Sequence, residues 1–447
     1  MTESVTTRRH RHLPAAALLA LAAALALALP PAAWAETRGG DIVCGETADE
    51  RSLAAADLPD ISARNAIVVR SDGEVYFERD ADAQVKIAST TKVMTAIVAL
   101  EHAALDDTVT VDHAAATVGE STAHLREGDT MTLGTALKAL LMPSGNDAAM
   151  AIARTVGAMI DPASPDPYAT FIQAMNDKAA ELGMEAVFTN PHGLDFGVWE
   201  DDAMHASARD VAIMFAHAMR NEDFRAISAS TDNVITVTGA DGAERQIELL
   251  ERNEILGQQG NIGGKTGGTY EALSCFVGAF SRDGDEIYTV VLGCEDGDIR
   301  WADTFALANW YYAHAHTVPV VNGTRTTPEG ETLVARAGAA DWTDKTIDIV
   351  AADPTANVRF FDLEGELELE VDLATFSGDV ELGADAGTLA LMQGDETLAE
   401  VDLVTAESVT APSPLEWALI QLDRFVRFFT GEPATAPDEV LATVPAV

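Results

Sequence analysis

The stretch Ile87-Ala88-Ser89-Thr90-Thr91-Lys92-Val93-Met94-Thr95-Ala96 decides how the rest of the chain is read. Its second half opens an apolar run, Val93 to Leu100, with the character of a helix. Residues three apart on a helix are almost one turn apart, so Ser89 and Lys92 share a face and the amine can reach the hydroxyl. A serine with a base in reach is an activated nucleophile. The same residues also fit an N-capping serine followed by a solvated lysine, and a pattern this short does not choose between the two. Lysine is scarce, however. Of 28 Lys and Arg residues, only Lys86, Lys92, Lys138, Lys178, Lys265 and Lys345 are lysines, so a lysine inside a motif carries weight.

Two further elements lie downstream in order. Met142-Pro143-Ser144-Gly145-Asn146-Asp147 supplies a Ser-x-Asn in a turn between helical segments, and Gly264-Lys265-Thr266-Gly267-Gly268-Thr269 supplies a Lys-Thr-Gly that opens a strand. Each is weak alone. Together with Ser-x-x-Lys they form the pattern shared by serine β-lactamases and penicillin-binding proteins.

On these motifs the chain resembles the low-molecular-mass penicillin-binding proteins that act as serine-type D-alanyl-D-alanine carboxypeptidases. Leu140 to Ala149, Thr189 to Leu194 and His205 to Asp210 are similar to further family stretches, and the likeness runs from about Asn65 to Tyr312. Gly387 to Leu391 and Glu400 to Val404 extend it into a C-terminal module. The resemblance implies catalytic Ser89, Lys92, Ser144 and Asn146, and substrate binding by Lys265, Thr266, Gly267 and Gly268. Lys92 would deprotonate Ser89, Ser144 would relay a proton to the leaving amine, and Asn146 would hold the substrate amide and Lys92. Lys265 and Thr266 would take the terminal carboxylate, with the N–H groups of Ser89 and Gly268 as the oxyanion site. The implied partners are the peptidoglycan stem peptide and, as covalent inhibitors, β-lactams; no cofactor is implied. One departure stands out: the family usually carries a bulky residue where Gly268 stands.

Related readings compete. A class A serine β-lactamase needs a Glu-x-x-x-Asn element, and none stands between Asn146 and Lys265. A DD-endopeptidase uses the same motifs but usually lacks an added β domain. A non-catalytic wall-binding protein would be expected to have lost a motif residue, and all are present. No H-E-x-x-H or G-x-S-x-G occurs, so neither a metal site nor an α/β-hydrolase is expected.

The expected fold class is α/β: a β-lactamase/transpeptidase-like domain, an antiparallel sheet with a helical cluster, spanning residues 60–316. Strands at both of its ends, with a hairpin from Asn65 to Arg79 and helices from about Ser89 to Ala226, give a sheet assembled from remote segments. Residues 318–410 read as a small β-sandwich-like domain of period-two strands, 414–430 as an amphipathic helix, and 431–447 as a disordered tail. Leu415, Leu419, Leu422, Phe425, Val426 and Phe429 share one broad helical face, too short and too charged to span a membrane. That helix is expected to bind a membrane surface, or else to pack on its own β domain.

Arg8, Arg9 and Arg11, an apolar run to Leu29 and Ala33-Trp34-Ala35 read as a signal peptide over residues 1–35, placing the protein at the extracytoplasmic face of the cell membrane or in the wall. A net charge of −44 opposes any polyanionic partner, which excludes nucleic acid as a substrate. Three cysteines are too few for a disulfide scaffold. Cys275 and Cys294 flank the Asp283-Gly284 turn almost symmetrically, which leaves a cross-strand bridge and two buried thiols both open.

Overall fold

A computed structural model describes residues 38–446; the expected signal peptide, residues 1–35, lies outside them. The Asn65 to Arg79 hairpin forms as antiparallel strands Asn65–Arg70 and Val75–Arg79. Successive side chains of a strand point to opposite faces, so Ile67 and Val69 enter one core while Ala66 and Val68 enter another. Asn65–Arg70 pairs with Asp285–Cys294, which pairs with Leu273–Arg282, which pairs with Asn261–Thr269 at the edge of a seven-stranded sheet. Helices Lys92–His102, Asn146–Ile160 and Ala208–Met219 cover one face. Helix Gly297–His314 covers the other. Its buried Asp303 carboxylate accepts from the backbone N–H of Ser62 and Ala63 at 3.0 and 2.7 Å, tying the helix to the start of the hairpin.

The first domain departs from expectation at two places. It begins before residue 60: Ile42–Val43 pairs with Val75–Arg79, and Asp41 accepts from Arg79 Nε at 2.9 Å. The helical stretch also contains strands, Thr108–Thr110 and Thr130–Thr132, which join Val234–Thr238 and Glu244–Glu248 in a separate four-stranded sheet. Three residues with one buried side chain each, Val109 and Met131, are too short to show a period.

The C-terminal domain is a six-stranded sheet containing Thr346–Ala351, Leu367–Leu373, Asp385–Gln393 and Glu396–Thr405. A two-stranded seam, Ala315–Pro319 against Asn357–Phe361, fastens it to the first domain. Phe361 packs on Tyr76 and Trp310 with ring centroids 4.8 and 5.3 Å apart, and Arg359 donates to Asp285 at 2.8 Å.

The expected disordered tail, 431–447, is corrected. Glu439–Val440 pairs with the strand Leu333–Gly338, and the N–H groups of Leu441 and Ala442 donate to Val334 O at 2.8 and 2.9 Å. An edge strand left bare would carry unpaired backbone groups, and the tail meets that demand although its composition says nothing of it. The three cysteines are free thiols. Cys294 opposes Ser274, and an irregularity in the pairing sets Cys275 out of line, so the near-symmetry about the turn does not become a facing pair.

Helix Pro414–Thr430 is capped by a reciprocal Ser413–Glu416 pair. Only Ile420 is buried; Leu415, Leu419, Leu422, Phe425, Phe428 and Phe429 face outward. Arg424 turns inward, its Nη2 donating to Ala340 O at 2.6 Å. Among the described residues no helix is long and apolar enough to cross a membrane. Hydrogen–deuterium exchange tests the tail: the Leu441 and Ala442 amides should exchange far more slowly than those of an unstructured peptide, and random-coil rates there would remove the strand.

Candidate active site

Ser89 sits in a single 3-10 turn, Ala88–Thr91, that runs directly into helix Lys92–His102. Ala88 is held at φ +47°, a left-handed conformation that costs a non-glycine residue roughly 1–2 kcal/mol. The surroundings enforce it. A Cβ on Gly193 would lie 1.9 Å from Ala88 O, and one on Gly267 would lie 2.8 Å from Ile87 O, so both neighbours must be glycine for the turn to seat between them.

Lys92 is fully buried, and its Nζ donates to Ser89 Oγ, Asn146 Oδ1 and His192 O, each at 2.8 Å. Burial pushes this amine well below the usual lysine range, with the Lys265 charge acting the same way and Asp147 opposing. An amine that surrenders its proton so readily can accept one from Ser89. Asn146 spends its second group on Gly119 O at 3.0 Å, through Nδ2, which retains one N–H for a substrate.

Ser144 is also left-handed, at φ +63°. Its Oγ accepts from Lys265 Nζ at 2.9 Å, and the same amine donates to Thr266 O at 2.8 Å. Burial, then the charge of Arg300, brings Lys265 down from an ordinary 10.5 to about 7, against the pull of Glu251. The structure thus gathers the eight residues named from sequence into a Ser89–Lys92–Asn146 cluster, a Ser144–Lys265–Thr266 cluster and the Gly267-Gly268 strand end. Ser89, Asn146 and Gly268 open on one cleft of about 310 Å³. A Cβ on Gly268 would approach nothing nearer than Leu273 O at 3.8 Å, so this glycine, unlike Gly267, is not demanded by packing. A larger hollow of about 400 Å³, between the hairpin and helix Ala208–Met219, contains none of the motif residues.

Several residues of the site are absent from the sequence reading. Asp147, buried beside Asn146, accepts from the N–H of Ala123 and Leu125 and from Thr122 Oγ1, pinning the loop in front of the cleft. Its place next to the Ser-x-Asn motif was the available signal. Asp195 accepts from Thr269 Oγ1 at 2.6 Å, clasping the strand end that carries Gly268. Arg300 reaches Gly267 O at 3.4 Å and lies over the Trp301 ring at 4.2 Å. Nothing in its local sequence marks it. The histidines form no metal cluster among the described residues; His314 and His316 both turn to Asp362.

Lys265 ties stability to pH. At Lys265 the folded chain is deprotonated and the unfolded one protonated between pH 7 and 10.5, so unfolding takes up a proton at this group, and Lys265 makes stability rise with pH across that window. Below pH 7 the penalty for burying the charge is full. Lys265→Met should therefore raise the melting temperature at pH 6 and flatten its rise toward pH 10; an unchanged slope would mean that this amine is not held low.

Comparison with known proteins identifies the family. Residues 52–296, more than half of the chain, match the family model described as D-alanyl-D-alanine carboxypeptidase. D-alanyl-D-alanine carboxypeptidase DacF of Bacillus subtilis (strain 168) is 25% identical over 362 residues, 78% of this chain and 86% of its own. DacB2 of Mycobacterium tuberculosis is 33% identical over 272 residues, 60% of this chain and 88% of its own. The crystal structure of the Streptomyces K15 DD-transpeptidase superposes with a TM-score of 0.53 at 29% identity, covering 57% of this chain and 98% of that one. With residues 52–296 matched by that family's model, the chain belongs to the D-alanyl-D-alanine carboxypeptidase family.

Proposed function

We propose that the protein removes the terminal D-Ala from peptidoglycan stem peptides through an acyl-enzyme on Ser89. The observation that carries this is the buried Lys92 amine, 2.8 Å from Ser89 Oγ and depressed in basicity. Lys92 takes the serine proton as Oγ bonds to the carbonyl carbon of the penultimate D-Ala. The oxyanion faces the N–H groups of Ser89 and Gly268. Collapse breaks the C–N bond, and the departing amine receives through Ser144 the proton that Lys92 took, which leaves Lys92 free to accept again. Water then adds to the ester, its proton passing to Lys92, and Ser89 leaves as the hydroxyl. Lys265, Thr266 and Arg300 hold the terminal carboxylate, two cations with a hydroxyl being the natural partner of that anion. Asn261–Thr269 is an edge strand, so its free side can run alongside an extended peptide. A β-lactam meets the same serine, and its ring-opened amine stays tethered.

Export by the residue 1–35 segment would place this chemistry at the extracytoplasmic face, and helix Pro414–Thr430 would hold it at the membrane surface. The outward apolar face supports the second point: each large side chain transferred to the interface contributes on the order of 1.5–3 kcal/mol before ordering costs. The acidic body opposes anionic lipid, so attachment should strengthen with salt.

Mass spectrometry after incubation with penicillin should find one adduct, on the Ser89 peptide. Ser89→Ala should abolish it and lower D-Ala release from a D-Ala-D-Ala peptide by on the order of 10³-fold or more. A labelled or active variant would remove covalent catalysis by Ser89. For the helix, Leu422→Ser, Phe425→Ser and Phe429→Ser combined should release the protein from anionic vesicles while leaving peptide turnover intact. These substitutions test the face without removing the tail strand, and a full-length protein that binds no vesicle at any salt concentration would overturn the attachment.

A further inference from the structure

We propose that the hollow of about 400 Å³ between the Asn65 to Arg79 hairpin and helix Ala208–Met219 is a binding site for a small amphiphilic anion, a straight alkyl chain of medium length ending in a carboxylate. No residue that lines it also lines the cleft at Ser89, and the proposed reaction makes no use of it.

The floor of the hollow is apolar because strand alternation and helical spacing meet there. Ile67 and Val69 stand on the face of Asn65–Arg70 that the helix covers, and Val75 pairs with Val69 from the second strand of the hairpin. Ala212, Ile213 and Ala216 follow at the three- and four-residue steps of one helix face. Two of these three are alanines, and Gly73 at the hairpin turn adds no side chain, so helix and hairpin do not fill the space between them. A volume within the usual range of roughly 300–1,000 Å³ for ligand sites, walled by branched aliphatic groups, suits an alkyl chain.

The charges at the hollow run against the rest of the molecule. Asp and Glu outnumber Lys and Arg by 72 to 28, yet the charged residues lining this space are Arg209, His217 and Arg220, with no Asp or Glu beside them. The three differ in what they have left to give. Arg209 is already matched, its Nε donating to Asp82 at 2.6 Å and its Nη2 lying 2.6 Å from Glu78, so it closes one end of the hollow mainly with its methylene stem. His217 faces Glu101 at 3.1 Å. Arg220, exposed at the C-cap of the helix, has no ion-pair partner among the described residues. The helical rise from Arg209 to Arg220 is about 16 Å, which gives an extended chain room to lie along the alanines with its head at Arg220. The carbonyls at this end of the helix carry partial negative charge, so a carboxylate there depends on Arg220.

Equilibrium dialysis with octanoate and with octanol tests the site. Both are measured on the Leu422→Ser, Phe425→Ser, Phe429→Ser background, which removes the other apolar face able to take up an alkyl chain. The acidic body as a whole repels an anion, so any preference for octanoate has to arise locally. Octanoate should bind at one site about fivefold more tightly than octanol, the scale of a partly exposed ion pair. Arg220→Glu, an exchange at an exposed position that leaves the core untouched, should reverse that order. Ala216→Phe, which sets a ring into the hollow from a half-buried position, should remove octanoate binding while penicillin labelling of Ser89 continues. Equal affinity for the two ligands, or a preference for octanoate that survives Arg220→Glu, would overturn the anion site. Octanoate binding that survives Ala216→Phe would place the chain elsewhere and overturn the hollow as its site, and so would the absence of octanoate binding from the parent protein.

Discussion

An amine stripped of all water is what the rest of this structure serves. Lys92 can stand inside the first core only because its own turn and two segments remote in sequence each bring it an oxygen: Ser89 from the turn, Asn146 from the head of the next motif, and the carbonyl of His192 from a loop a hundred residues on. Burial disfavours the charged form and lowers the amine's hold on its proton. Reactivity and fold are therefore not separable here. The contacts that make Lys92 tolerable also make it basic toward one serine.

The same economy explains the strained backbone. Ala88 and Ser144, neither of them glycine, hold left-handed conformations immediately before and within the catalytic elements, while Gly193 and Gly267 give up side chains so that the Ser89 turn can be pressed between them. Strain is borne by residues whose direction matters, and space is conceded by residues that only need to be thin. Gly268 stands outside this logic, since nothing crowds it.

Much of this was legible in the order of Ser-x-x-Lys, Ser-x-Asn and Lys-Thr-Gly, because each motif carries its chemistry within a few residues. The β-domain strands were legible for a similar reason: six to ten residues of alternation announce a sheet. What stayed hidden was set by partners far away. Arg300 reaches the site across a helix turn, Asp195 works through Thr269, and the tail pairs with Leu333–Gly338, a strand that itself escaped notice. Thr108–Thr110 and Thr130–Thr132 are strands only because Val234–Thr238 lies beside them. No local pattern encodes such a pairing.

The seam between the domains has a mechanical consequence. Phe361 is set among the rings of Tyr76, Trp310 and Tyr311, Arg359 is locked to Asp285, and the strand Ala315–Pro319 leaves the last turn of a helix without a linker. A joint knit from aromatic packing, an ion pair and backbone pairing resists hinging, unlike a tether. With attachment through the outward face of Pro414–Thr430, as proposed above, the β domain would act as a stanchion of fixed height and that face as its foot. Ser89 mounted on such a post would work at one stand-off from the surface beneath the foot, and substrate lying nearer or farther would be out of reach.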